Sequence, residues 1–442
     1  MIRTLRLLPL LLPILLLFTS CDQLPGVGSG DTALPPVAGV PTPSVVPIAT
    51  ANATPPTVPA APLSPLRLWV PPEIGARTAS GTEELANQVR AFESTQRDLD
   101  VIVEQKPFDG SGGILSYLRT GRQVAPSMLP DVIALPTSAL ADPSVREMVF
   151  PFGGLIDPAF LSDIYPAPAG QVVSDDRLYG YPFATFGLSH LAYRPSVVTD
   201  TVSMNWSTFI SDTGHTLVLP ADSRDGALFG LQFYLAEGGA VINDTGQPDL
   251  QVEPLTRALE QIALGKTGLL QSRQMKTLDE AWQYHQLGLS DFVWTRSDYL
   301  LGEQAGRPEG SSPVDEAYSR IPGPSGPLTP LTATWAWAIT ASDPVRQELA
   351  AELIASLTTP EAMAAWAERA QVLPARREAM SLLAEGNRYH RFAGGELERA
   401  QALPLSESSR LLDVLGDAVF QVLTTETPPA AIAEATVAAL RQ

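Results

Sequence analysis

Four histidines, a single cysteine and scattered acids are the residues of this chain whose chemistry suits catalysis, and their spacing argues against it. His190, His215, His285 and His390 include no pair at i, i+4 with an adjacent glutamate, the arrangement that sets two imidazoles on one helix face for a metal. They are expected as surface or capping histidines. No GxSxG elbow presents an activated serine, and no GxxxxGK[ST] loop cradles a phosphate. Glu83-Glu84 and Asp175-Asp176 are acid pairs, but sequence neighbours are ordinarily solvated, and glycoside hydrolysis needs two carboxylates facing each other across a cleft. No cofactor or metal is expected. What remains is contact chemistry. Trp69 lies near the end of LRLWV, Trp294 lies in SDFVWT, and Trp335 and Trp337 lie in TWAWAI. Each offers a flat apolar plane with one N–H donor. Trp335 and Trp337, two apart in a strand, share a face, as a stacking pair or as a core pair. Asp109 stands in FDGSGG (108–113). There its carboxylate and the loop amides can reach a polar ligand, or the glycines serve only a tight turn. Core, hinge or helix-start packing is the reading for Tyr181, Phe183, Phe186 and Trp206.

These residues are carried by an alternating pattern of elements. LRLWV (66–70) reads as a strand, and GTEELANQVRAFESTQ as a helix with Leu85, Val89 and Phe92 on one face. LDVIVEQ (99–105) is a strand, GILSYLRTG (113–121) a helix ending at a glycine, and PDVIALP (130–136) a buried strand. Strand–helix repeats of this spacing imply an α/β fold with a parallel sheet covered by helices. Trp69 then falls at a strand's C-terminal edge, where open α/β sheets bind ligands. Further on, 180–195 gives one or two strands, HTLVLP (215–220) another, and helices are expected over 226–237, 251–264 and 278–287. SDFVWT (290–295) and TATWAWAIT (332–340) are strands. Two helices follow, with Asp343 and Thr359 as N-caps before Pro344 and Pro360, the first burying Val345, Leu349, Leu353 and Leu357. The chain from about 406 is helical, broken at TETPP.

The N-terminal stretch is of another kind. MIRTLRLLPLLLPILLLFTSC has Arg3 and Arg6 before an apolar run, then small residues, the layout of a secretory signal. The run falls short of the roughly 20 residues that span a bilayer. Residues 22–65 hold eleven prolines, no aromatic residue, and only Asp22 and Asp31 as charges. Such a segment cannot bury enough apolar surface to fold, and it reads as a tether. Asn52 in NAT is a chance sequon. The chain's net charge is −19, more negative still once Arg3 and Arg6 are removed, which argues against a nucleic-acid partner. One cysteine excludes an intrachain disulfide.

Two resemblances organise these observations. FTSC is similar to the lipobox of bacterial lipoproteins, with Phe18 where leucine is usual. It implies that Cys21 is the lipid-attachment residue, with lipid holding the chain at the outer face of the bacterial cell membrane. The body resembles the extracellular solute-binding proteins of ABC importers, in the sugar-binding branch related to maltose-binding protein. The resemblance rests on the order of GTEELANQVRAFES, PDVIAL, RLYGYPFATFGLSHLAYRPSVV, NWSTF, IPGP, TWAWAI and VLPARRE. Tyr193-Arg194 stands where the family has Tyr-Asn. It implies a two-lobed fold with a hinge of crossing strands and a cleft. The expected divisions are 1–20 signal peptide, 21–65 lipidated cysteine and tether, 66–182 first lobe, 183–321 second lobe, 322–369 return to the first lobe, and 370–442 C-terminal helices on the second. The implied function is capture of a small solute, a saccharide by family, and its delivery to an ABC permease, without catalysis. Sugars stack on aromatic planes, which makes Trp69, Trp294, Trp335 and Trp337, with Asp109, the ligand-binding candidates. A cell-surface glycan hydrolase and a ligand-binding lobe for a membrane sensor are the alternatives.

Overall fold

A computed structural model describes residues 64–442 apart from 97, 199–201, 212–214, 244–245, 308–315 and 404–408. The expected signal peptide, Cys21, Asn52 and nearly all of the expected tether lie outside the described residues. Strands β1 (Leu66–Val70), β2 (Val101–Gln105) and β3 (Val132–Pro136) alternate with α1 (Ala79–Thr95) and α2 (Ile114–Val124). After β4 (Tyr181–Phe186) the chain turns at Gly187 into β5 (Ser189–Tyr193). A second body follows with β6 (Leu217–Val218), α3 (Arg224–Ala236), α4 (Val252–Leu264), α5 (Leu278–Gln286), β7 (Phe292–Arg296), α6 (Ser297–Ala305) and β8 (Ala317–Ser319). Strand β9 (Leu331–Ile339) returns, followed by α7 (Pro344–Leu357), α8 (Pro360–Ala370), β10 (Leu373–Pro374), α9 (Arg377–Ala384), α10 (Arg388–Leu397), α11 (Arg410–Thr424) and α12 (Pro429–Leu440).

The strands form two principal sheets. The first has the order β10-β4-β9-β3-β1-β2 and the second β8-β5-β7-β6. In the first, β1 is parallel to β2 and β3, while β9 is antiparallel to β3 and β4. Strand alternation sends Leu66, Leu68 and Val70 to one face, under Leu85, Val89 and Phe92 of α1 and Leu353 of α7, and Trp69 to the other, under Ile114, Leu115 and Leu118 of α2. The second sheet is likewise covered on both faces. Leu191 and Trp294 face α3, α4, α11 and α12, whereas Ala192 and Val293 face Trp282 of α5 and Tyr389 and Leu397 of α10.

Local signals explain the element ends. The Thr78 side chain caps α1 by accepting from the Gly81 N–H at 2.9 Å. Asp343 and Thr359 cap α7 and α8, each with proline at the first helical position. Helix α5 begins with a capping box between Thr277 and Glu280. Two details differ from expectation. Helix α2 runs through Gly121 to Val124; that glycine admits Leu129, whose Cδ2 would lie 2.7 Å from a Cβ there. On α7 the buried residues are Ala350, Ala351, Leu353, Ile354 and Leu357, and Val345 is exposed. A strict i, i+4 row slides about 40° around a helix per step, so the row that is buried at Leu357 faces solvent at Val345.

The passage between bodies is short. Strand β4 lies wholly in the first sheet, so the chain changes body at Gly187, which has φ of 72°, rather than at 183. Ile321, Leu328 and Leu331 still belong to the second core, so the return begins with β9 rather than at 322. The segment Gln401–Ala402 pairs in parallel with Leu331–Thr332. Residues 370–442 do not act as one unit. Strand β10 pairs with β4 of the first sheet, α9 contributes Ala379 to the first core, and α11 and α12 build the second core.

Candidate functional site

The C-terminal ends of β1, β2 and β3 open on a cleft of about 700 Å³. One wall comes from the turns after those strands: Glu73 and Arg77 after β1, Phe108 and Asp109 after β2, Thr137 and Ser138 after β3. Trp335 of β9 joins this wall. The opposite side is made by Arg296, Asp298 and Leu403, which belong to the end of β7, the start of α6 and the second core; Phe186, at the end of β4 in the first core, also lines the cleft. A ligand placed here touches both bodies.

Two of the five ligand-binding candidates, Trp335 and Asp109, lie on the cleft. Trp335 is half-buried and meets Phe108 edge to face, with ring centroids 6.3 Å apart. It pairs with Pro136, the last residue of β3, so it stands at the margin of the sheet, where the covering layer stops. Asp109 is exposed on the loop before α2. Partial desolvation raises its pKa above the ordinary carboxylate value, and Arg119 opposes the shift. The loop amides are less available than the sequence suggested. The N–H groups of Gly113, Ile114 and Leu115 donate to the Gly110, Pro107 and Phe108 carbonyls, and Gly110 and Gly112 take φ of 83° and 77°. At these glycines the loop is a tight turn that aims Asp109.

The other three tryptophans are absent from the cleft lining. Trp69 is 3% exposed because α2 covers it; it meets Tyr117 edge-on at 5.6 Å, and Lys106 Nζ lies 4.6 Å from its ring centre. Trp294 is fully buried beneath the helices of the second body. Trp337 is buried in the first core and stacks on Phe183 at 4.3 Å. Trp335 and Trp337 are thus neither a stacking pair nor a core pair. Trp206 is fully buried at its helix start, and its Nε1 donates to the Gln261 carbonyl at 2.7 Å.

Sequence reasoning passed over the charges at the cleft wall. Asp298 accepts the Gly187 N–H at 3.2 Å. Its carboxylate lies 3.8 Å from an Arg77 nitrogen and 3.7 Å from an Arg296 nitrogen. Thr137, 1% exposed, donates to Gln171 and lies 3.1 Å from the Thr334 carbonyl. The rule that ligands meet the C-terminal ends of strands points to Arg77, which follows β1, and to Arg296, which ends β7.

The histidines correct another expectation. His190, His285 and His390 are buried, not surface or capping residues. Burial lowers each pKa from 6.5 to about 4; for His285 the neighbouring Arg194 adds to the effect. His190 Nδ1 lies 3.1 Å from the Leu188 carbonyl and His285 Nδ1 3.0 Å from that of Ser290. A carbonyl only accepts, so each ring is the neutral tautomer that carries its proton on Nδ1. Among the described residues there is no group of three metal-binding side chains, and no helix is long and apolar enough to cross a membrane.

Two sheet-centred lobes, joined by short crossing segments and facing each other across a cleft, define the class of bilobal binding proteins. The family model for bacterial extracellular solute-binding proteins matches residues 87–389, and the chain belongs to that family, whose members are binding proteins rather than enzymes. Among solved structures, it is similar to the maltose-bound MalE3 of T. maritima, with 17% identity, a TM-score of 0.60, and coverage of 85% of this chain and 99% of that one. The sugar-binding protein MalE of Xanthomonas citri shares 17% identity at a TM-score of 0.66, over 85% and 96% of the two chains. The cyclic alpha-maltosyl-1,6-maltose binding protein of Arthrobacter globiformis shares 14% at 0.64, over 85% and 98%. No curated protein sequence matches the chain.

Proposed function

We propose that this protein captures a saccharide in the cleft, closes its lobes on it and delivers it to an ABC permease, with no bond made or broken. The observation that carries the reading is the cleft itself, where a half-buried indole at the sheet margin stands among polar and charged side chains from both lobes. A sugar ring has apolar faces and a rim of hydroxyls, and an aromatic plane with fixed polar groups suits both. Trp335 is the stacking plane and Asp109 a hydroxyl partner. Trp69, Trp294 and Trp337 act by holding the walls. The solved structures similar to this one include proteins bound to maltose and to maltotriose, which supports a glucose-based oligosaccharide as the first ligand to try. Lipid on Cys21 holds the protein at the outer face of the membrane, with residues 21–65 as the tether.

A thermal-shift panel of mono- and oligosaccharides, polyols, amino acids, short peptides and polyamines tests the reading. At about 100 times its dissociation constant a ligand stabilises the folded state by roughly 2.7 kcal/mol. A saccharide hit that disappears in Trp335→Ala supports the proposal. A hit confined to another class overturns the sugar assignment, and release of product from a glycan points to the hydrolase.

A further inference from the structure

Asp298 stands where both lobes and a crossing segment meet. Its carboxylate takes the N–H of Gly187, the residue at which the chain changes lobe, and lies between Arg77 of the first lobe and Arg296 of the second. On the first-lobe side Arg77 is fixed. Its Nε donates to the Ala370 carbonyl at 3.0 Å, its Nη2 lies 3.5 Å from the Asp298 carbonyl, and its guanidinium carbon lies 5.1 Å from the ring centre of Phe186. On the other side Arg296 Nε lies 3.2 Å from an Asp225 oxygen at the start of α3. Four charges of alternating sign, Arg77, Asp298, Arg296 and Asp225, therefore run from one lobe past the hinge into the other. Arg77, Arg296 and Asp298 also line the cleft.

We propose that Asp298 is a positioning residue for ligand capture, an ionic pin that sets the angle between the lobes and so the fraction of molecules whose cleft is ready for ligand. This rests on the proposed capture by lobe closure in that cleft. The pairs are partly exposed, with side chains 16% to 24% accessible, so each is weak. A hinge equilibrium is itself finely balanced, and one such pair changes a conformer ratio by up to about five-fold. Charge pairs of this kind are screened by salt, whereas packing and the Gly187 hydrogen bond are not.

The test uses no ligand, so its failure is distinct from failure of the sugar reading. Spin labels at Val124→Cys and Leu287→Cys, both strongly exposed, report the distance between lobes in the full chain carrying Cys21→Ser. With Asp298 intact the distance distribution is narrow at about 20 mM NaCl and broadens at about 500 mM. Asp298→Asn keeps an acceptor for Gly187 and loses the charge; its distribution is broad at both salts. Arg77→Gln breaks the other end and gives the same result, and the double variant is no broader than either single one. Circular dichroism confirms that each variant is folded; should Asp298→Asn fail to fold, Arg77→Gln carries the test. Narrow, salt-independent distributions in the folded variants, or broadening that adds in the double variant, overturn the proposal.

Discussion

Lowering the pH from neutral should weaken this protein in a window set by three buried histidines. In the folded state His190, His285 and His390 hold pKa values near 4, against 6.5 for an unburied imidazole. The unfolded chain therefore binds protons that the folded one refuses. The stabilisation is present above the unfolded value and is lost as pH falls from about 6.5 toward about 4. Each histidine forfeits about 2 kcal/mol between about pH 7 and about pH 5, and the three together about 6. Against a whole-domain stability of about 5–15 kcal/mol that is a large fraction. Carboxylates act in a lower window. Glu398, whose pKa is lowered by its hydrogen bond to Arg377, starts to give up its contribution only as pH falls through the carboxylate range. Urea unfolding followed by circular dichroism at stepped pH measures the effect. Both ring nitrogens of His390 are buried without a hydrogen-bond partner, so His390→Leu should flatten the pH dependence by about a third while forfeiting no hydrogen bond. A denaturation midpoint that stays level from about pH 7 to about pH 5 would refute the argument.

Other substitutions separate the cleft from its supports. Trp335→Ala should abolish most ligand affinity with little change in unfolding temperature, while Trp294→Ala should cost about 3–5 kcal/mol of stability, as calorimetry of the two variants will show. Trp335 is the half-buried member of seven tryptophans, and the other six are buried, so Trp335→Phe should remove most of the acrylamide-quenchable fluorescence. Asp131 is 4% exposed and accepts from the Arg67 N–H at 2.8 Å and from Arg346 Nε at 2.6 Å. Asp131→Ala removes the acceptor of the Arg67 N–H, while Arg346, 26% accessible, keeps the Pro65 carbonyl; the substitution should cost about 1–3 kcal/mol in urea unfolding. A Cβ at Gly239 would lie 2.3 Å from the ring of Tyr234, whose hydroxyl is held by the Ala240 carbonyl at 2.8 Å; Gly239→Ala should lower stability by about 1–3 kcal/mol, visible as a lower melting temperature.

Local order was legible because it rests on local physics. The stripe of Leu85, Val89 and Phe92 and the proline-preceded caps Asp343 and Thr359 need only their own neighbours. So does the strand–helix alternation of 66–136, whose parallel sheet the structure contains. Family order along the chain supplied the two lobes. What the sequence withheld is what depends on partners distant in the chain. Trp69, Trp294, Trp335 and Trp337 all end or lie within strands, and their fates depend on which helix covers them. Helix α2 covers Trp69, the second core encloses Trp294, and Phe183 covers Trp337. Only at the sheet margin does Trp335 escape. The histidines were misplaced for a related reason. A lone polar residue gives no periodic signal, and its burial is decided by distant elements such as α10, whose Tyr389 ring centroid lies 5.3 Å from that of His190. Asp298 and Arg77 are 221 residues apart in the chain, and no local pattern joins them.

The central claim is capture by closure, and small-angle scattering of the protein titrated with maltotriose, beside calorimetry of the same samples, tests it most directly. The account predicts saturable binding, a radius of gyration that falls as the site fills, and loss of both in Trp335→Ala. Saturable binding with an unchanged radius would contradict the closing cleft, and compaction that survives Trp335→Ala would contradict the placement of the ligand.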